Sequence, residues 1–227
     1  MNLQLADGYV SAGHYCTITA KGTTVIAAGV TFEALVVDGS VTVVGCAGGI
    51  IDCRNGHVSC IGNLIVRDIK GYGDITVDGD LTCETVQLVG TVRVSGTMTC
   101  NRTVAVTGRL ENSHIITARS VNLNGVLAGC DLRTDSLCIK PLCSRMLSRC
   151  AMNEYIDGSS ARTVVGNTVR VHRLSCVTLH AKSVDLSERC LIRRLCNSTE
   201  FSSDGTAAVL TISADCSQSH LCQFKRA

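Results

Sequence analysis

Glycine recurs every seventeen residues through the first half of this 227-residue chain. Gly22, Gly39, Gly56, Gly73 and Gly90 hold the interval, and Gly108 and Gly125 follow after eighteen and seventeen. A second row, Gly45, Gly62, Gly79 and Gly96, runs six residues behind the first at the same period. A fixed period of about twenty residues marks a solenoid, in which a repeat buries its apolar face only when neighbours stack on it.

The apolar residues between the glycines fall in i, i+2 pairs. Ile69 (with Gly71), Ile75/Val77, Leu81/Cys83, Val86/Leu88, Val92/Val94 and Met98/Cys100 follow one another between Ile69 and Cys100. Alternation puts both members of a pair on one face of a short strand. The pairs begin at 69, 75, 81, 86, 92 and 98, so the steps are six, six and five. Three strands and three corners then make one turn. Two corners carry glycine, where positive φ is easily met, and the third carries Arg67, Glu84 or Asn101. The sequence therefore predicts an all-β fold, a single-stranded parallel β-helix of triangular section with about seventeen residues per turn. Right-handed coiling is the default for parallel crossovers. Stacking Thr24, Val41, Val58, Ile75 and Val92 in one column, and Ile26, Val43, Cys60, Val77 and Val94 in another, gives inward ladders rich in β-branched residues.

The beat weakens after Ile139, where the only proline, Pro141, stands, and the stretch 142–162 reads as irregular. It recovers at Val169/Val171, Val177/Leu179 and Val184/Leu186, with corners expected to be longer by one or two residues. Residues 179–186 (LHAKSVDL) echo residues 116–123 (ITARSVNL), so one solenoid with a disturbed middle is expected over 1–196. Residues 197–227 are expected to hold a loop, an apolar strand from Ala207 to Ile212, and a polar tail.

Composition agrees. Aromatic residues are 3% of the chain and Trp is absent, as suits a narrow interior lined by aliphatics, and the net charge of +2 is dispersed. Dispersed charge argues against a nucleic-acid surface. No apolar run reaches a membrane span, and the alternating start Met1 to Asp7 argues against a membrane tether or signal peptide and for a cytoplasmic protein. The fifteen cysteines show no CxxC pair or zinc-ligand spacing. Several fall in the inward columns, Cys83 and Cys100 one turn apart, which reads as core filling. Cys216 and Cys222, in the tail, are the least constrained.

No catalytic constellation appears. The histidines at 14, 57, 114, 172, 180 and 220 form no HxxxH or HExxH motif, and there is no GxxxxGK[ST] loop or GxSxG elbow. The expectation is a protein without catalytic residues, cofactor or metal. The enzyme alternative is a trimeric hexapeptide-repeat acyltransferase, also a triangular β-helix, of about eighteen residues per turn. It calls for equal six-residue steps, whereas the third step here is five.

Some segments carry a more specific likeness. Ser11-Ala12-Gly13-His14-Tyr15 followed by Ile18 and Gly22, the turn from Val77 to Gly90, and the closing Ser183–Leu186 with Cys190–Leu195 resemble the opening, middle and closing turns of the Firmicutes-type bactofilins. The resemblance spans about residues 3–196, departing at Cys46-Ala47-Gly48-Gly49, which replaces a regular strand, and at 142–162. It implies a bacterial cytoskeletal scaffold that polymerises without nucleotide and serves cell shape, envelope or motility. Its first partner would be itself, alongside scaffolded proteins that the sequence does not identify. A β-helix with no capping helix exposes strand edges and an apolar section at each end, so end-to-end stacking is expected. The contact residues expected are Tyr15, Ile18 and Val25 at one end and Leu191, Ile192, Val209 and Ile212 at the other.

Overall fold

The structure, a computed structural model, describes residues 1–142 and 158–213. Every regular element among them is a strand: β1 (Asn2–Leu5), β2 (Gly8–Val10), β3 (Gly13–Ala20), β4 (Thr23–Ile26), β5 (Val30–Val37), β6 (Ser40–Asp78), β7 (Leu81–Val94), β8 (Met98–Lys140), β9 (Ser159–His172), β10 (Leu174–Ser187), β11 (Leu191–Cys196), β12 (Glu200–Ser203) and β13 (Ala208–Ile212). All pairings between them are parallel and belong to one sheet. The chain thus coils as a β-solenoid of about twelve turns with roughly seventeen residues each.

The inward pairs lie where alternation puts them. Ile69, Ile75, Val77, Leu81, Cys83, Val86, Leu88, Val92, Val94, Met98 and Cys100 are all buried to within 2% of full exclusion from solvent. The repeated octapeptides also match, since Ile116, Ala118, Val121 and Leu123 are inward, as are Leu179, Ala181, Val184 and Leu186. Each inward side chain sits between equivalents on the turns before and after it. Leu3, Ile18, Leu35 and Ile51 form one such stack through the pairings β1–β3–β5–β6.

The first glycine row is a column of touching backbone corners. A Cβ on Gly73 would lie 2.0 Å from the carbonyl oxygen of Gly56, one on Gly90 2.0 Å from that of Gly73, and one on Gly125 1.9 Å from that of Gly108. Their φ values, from +134° to +146° between Gly73 and Gly125, belong to a region that only glycine enters readily. Beyond Gly125 the same corner is built differently. Arg173, Glu188 and Arg189 occupy it at φ of 54°, 53° and 64°, the left-handed region that other residues adopt at modest cost. There Asp204 accepts hydrogen bonds from the Glu188 and Thr206 N–H groups (2.8 and 2.9 Å), and Glu188 pairs with Arg173 at 2.8 Å. These bonds hold the exposed Asp204 carboxyl below its ordinary range.

Several expectations change in the structure. Residues 46–49 continue β6, paired with Thr31 and Phe32; Gly48 is required because the Phe32 ring fills its side-chain space, 2.2 Å from where a Cβ would stand. The irregular stretch is shorter than 142–162, because β9 begins at Ser159. The register from β8 to β9 is 32 residues, as in Ala128↔Ser160, a regular turn lengthened by fifteen. That excess equals the length of 143–157, which lies outside the described residues and which carries Cys143, Arg145, Arg149 and Cys150. The next turns are tighter, not longer: β9 to β10 advances fifteen residues, as in Ser159↔Leu174, and β10 to β11 sixteen, as in Ser175↔Leu191, before the step returns to seventeen at Leu191↔Ala208. Val177 is 42% exposed and the inward partner on its side of the turn is Cys176, so the pair Val177/Leu179 straddles a corner. Finally, the segment 198–205 holds β12, which pairs with β10, and the coil runs on through β13 to Ile212 without a boundary at 197.

Candidate assembly surfaces at the ends of the solenoid

An inward residue is sealed only if turns lie on both sides of it. Among the described residues, β1 pairs with β3 alone, β2 with β4 alone and β13 with β11 alone. The free edges of these three strands leave main-chain N–H and C=O groups without a ladder partner on that side. The aliphatics lining the same edges are correspondingly half-buried: Leu3 and Leu5 at the first turn, and Ala207, Val209 and Ile212 at the last.

The expected contact residues divide into three groups. Val209 and Ile212 belong to the last described turn, in register with Ile192 and Leu195. Tyr15, Ile18 and Ile192 are one turn inside the ends and are buried: Leu3 covers Ile18, Val209 covers Ile192, and the Tyr15 hydroxyl donates to the Ser11 carbonyl at 3.0 Å. Val25 and Leu191 point the other way, 38% and 46% exposed on the outer surface, because Thr24 with Ile26 and Cys190 with Ile192 are the inward members of those strands. Sequence reasoning missed Leu3 and Leu5 at the open edge, and Phe201, which packs against the core from β12. The first two were visible as an i, i+2 pair in the alternating start of the chain. Phe201 is the single large apolar residue in β12 and gives no periodic signal.

The corners add a polar order that the glycine pattern conceals. Asp and Asn side chains accept from main-chain N–H groups one turn above: Asp7 from Thr23 (2.7 Å), Asn63 from Asp80 (2.9 Å), Asp74 from Thr91 (2.9 Å) and Asp80 from Thr97 (2.7 Å). Glu111 pairs with both Arg93 and Arg109, and the hydrogen bond from Arg93 is the leading reason its carboxyl sits below its ordinary range. Asp68 is held low chiefly by the Thr85 hydroxyl, at 2.6 Å. These groups tie consecutive turns together and do not converge on one point.

Among the described residues no cluster of three or more His, Cys, Asp or Glu could hold a metal ion. His57 and His114 are exposed, and His14 bonds the Thr31 hydroxyl at 3.0 Å. His172 lies 3.5 Å from Glu188, while His220 falls outside the described residues, as do Cys216 and Cys222. Eight of the eleven described cysteines are buried. Burial pushes the Cys46 and Cys53 thiols up to about 12 and Cys176 up to about 11, so these three side chains are neutral fillers of the core. No helix among the described residues is long and apolar enough to cross a membrane.

Such a molecule belongs to the class of β-solenoids with an unpartnered strand edge at each described end. No family profile, no curated protein and no solved structure matches this chain.

Proposed function

We propose that this protein is a structural scaffold that assembles from copies of itself by end-to-end stacking of β-solenoids, without nucleotide or other cofactor. The observation carrying this reading is the pairing of a free strand edge with half-buried aliphatics at both described ends. Stacking a second copy there extends the same ladder of parallel hydrogen bonds and covers Leu3, Leu5, Val209 and Ile212, so association uses the contacts that hold each turn to the next. The resemblance to bactofilins extends the proposal to a bacterial cytoskeletal role in the cytoplasm, supporting cell shape, envelope or motility, with no catalysis. Neither nucleic acid nor membrane enters the proposal.

Negative-stain electron microscopy of purified protein without added nucleotide tests it. Filaments or sheets are expected. Discrete particles at high protein concentration would overturn the proposal, as would a stable trimer that acetyl-coenzyme A protects from thermal unfolding.

A further inference from the structure

One side of the solenoid holds two thiols in direct register. Cys83 on β7 and Cys100 on β8 are Cα partners on consecutive turns, both inward, each 2% exposed, and both free. Strands one turn apart lie about 4.8 Å from each other, within the Cα separation that a disulfide bridges. The corner after them is irregular, because the register shifts between Cys83 and Thr85 as β8 gains one residue. That shift leaves one residue of β8 unpaired and bends the strand beside the pair.

Cys100, though buried, also borders an open groove. A surface groove of about 470 Å³ begins at Cys100 and Asn101 and climbs past Arg119, Arg133 and Asp135 to Asn167. Cys100 thus forms its lower margin, and Cys83 lies one turn behind it. No other pair of described cysteines combines register partnership with such an opening. We propose that Cys83 and Cys100 form a dithiol–disulfide site that reacts with low-molecular-weight disulfides entering by this groove, Cys100 attacking and Cys83 resolving.

Local chemistry divides the two roles. The Cys100 thiol donates to the Glu84 carbonyl at 3.0 Å, and its contact with Cys83 is the leading reason it is held below the ordinary value. The same contact with Cys100, reinforced by burial, raises Cys83. Cys176 is buried similarly but has no stacked thiol, and it is raised. In the first step the Cys100 thiolate attacks one sulfur of the small disulfide, forming a mixed disulfide and releasing one small thiolate, which takes up a proton. Cys83 then loses its proton and attacks the Cys100 sulfur. The internal disulfide forms and a second small thiol leaves. Two protein thiols are oxidised and one disulfide is reduced to two thiols, so atoms and electrons balance.

The test uses the full chain exposed to oxidised glutathione, quenched in acid, alkylated and digested with trypsin without reductant. Cys83 and Cys100 fall in separate peptides, 71–93 and 94–102. The expected result is a cross-linked pair of these peptides that dithiothreitol separates and that dominates over other cysteine pairs. In Cys83→Ser, glutathione should remain on peptide 94–102; in Cys100→Ser, peptide 71–93 should stay unmodified. The inference is overturned if the wild type shows no such cross-link while the half-buried Cys16, Cys130 or Cys138 are modified. It is equally overturned if Cys83 reacts undiminished in Cys100→Ser. Should a serine variant not fold, the wild-type cross-link and the Cys83→Ala and Cys100→Ala variants still decide the matter. None of these readouts involves assembly, so the site and the scaffold proposal stand or fall separately.

Discussion

Gly90→Ala should damage this fold far more than a single methyl group suggests. The new Cβ would stand 2.0 Å from the Gly73 oxygen and 2.8 Å from its carbonyl carbon, both main-chain atoms that no side-chain rotation can move. Relief requires the two turns to separate by about an ångström at this corner, since relaxed carbon–oxygen contacts lie beyond about 3.2 Å. The hydrogen bond from the Thr91 N–H to Asp74, at 2.9 Å, spans that same gap and would be lost. Alanine at φ +139° costs about 1–3 kcal/mol, forced overpacking about 1–3 kcal/mol, and the hydrogen bond about 1 kcal/mol. Together these come to about 3–7 kcal/mol, or a fall in Tm of about 6–28 °C for a domain of this size. Gly62→Ala is the control. Its φ of +87° carries the conformational cost, but nothing lies within 4 Å of the added Cβ, so about 1–2 kcal/mol is expected. Thermal melts followed by far-ultraviolet circular dichroism on the two variants and wild type measure the difference. If Gly90→Ala melted within about 3 °C of Gly62→Ala, the corner column would not be the close contact described, and the reasoning from stacked carbonyls would fail.

Other outcomes follow from single residues. Thr24 is fully buried with an unpartnered hydroxyl, in a column where the next turns carry Val41 and Val58; Thr24→Val should raise stability by about 1–2 kcal/mol, read as a higher denaturant midpoint at unchanged m-value. Glu111 is ionised more readily in the folded chain than in the unfolded one, so its contribution is present above its ordinary value of 4.5 and is lost as pH falls through the lower folded-state value. Glu111→Gln should therefore destabilise at neutral pH and reduce the drop in Tm on acidification; an unchanged acid limb would contradict the assignment. For assembly, Leu3→Lys or Val209→Lys should leave a folded protein that sediments as a shorter species, because an unpaired charge in an apolar contact costs several kcal/mol. Ile18→Lys, by contrast, should unfold the first turns, since Leu3 and Leu35 enclose that side chain.

How far the sequence disclosed this molecule depended on how periodic each part is. The turns from Ile69 to Cys100 repeat so regularly that spacing alone located every inward residue. Val25 and Leu191 show the limit of hydrophobicity as a guide. Both are aliphatic, yet they sit between inward neighbours, and alternation with Thr24 and Ile26 was the better indicator than side-chain type. Gly48 looked like a break because its column position is filled from the adjacent turn by Phe32, an exchange of volume that one-dimensional spacing cannot register. The β12 segment, Glu200 to Ser203, contains one large apolar residue and is fixed as a strand by its pairing with β10. At the ends, knowing the inward column was not enough. Which turn came last decided whether Ile18 and Ile192 were covered, and that is a matter of register.

Because the coil advances one strand spacing per turn, nearly all its main-chain hydrogen bonds point along the long axis while the covalent chain runs around it. Twelve such turns span roughly 58 Å. Tension between the two ends is therefore opposed by one turn's hydrogen bonds at a time, and the rod should part by peeling successive turns, at forces well below those that shear strands lengthwise. Compression instead drives the touching glycine corners and the stacked aliphatics against each other, where close-packed interiors yield little. A rod of this construction is a strut, suited to holding things apart and poorly suited to pulling them together.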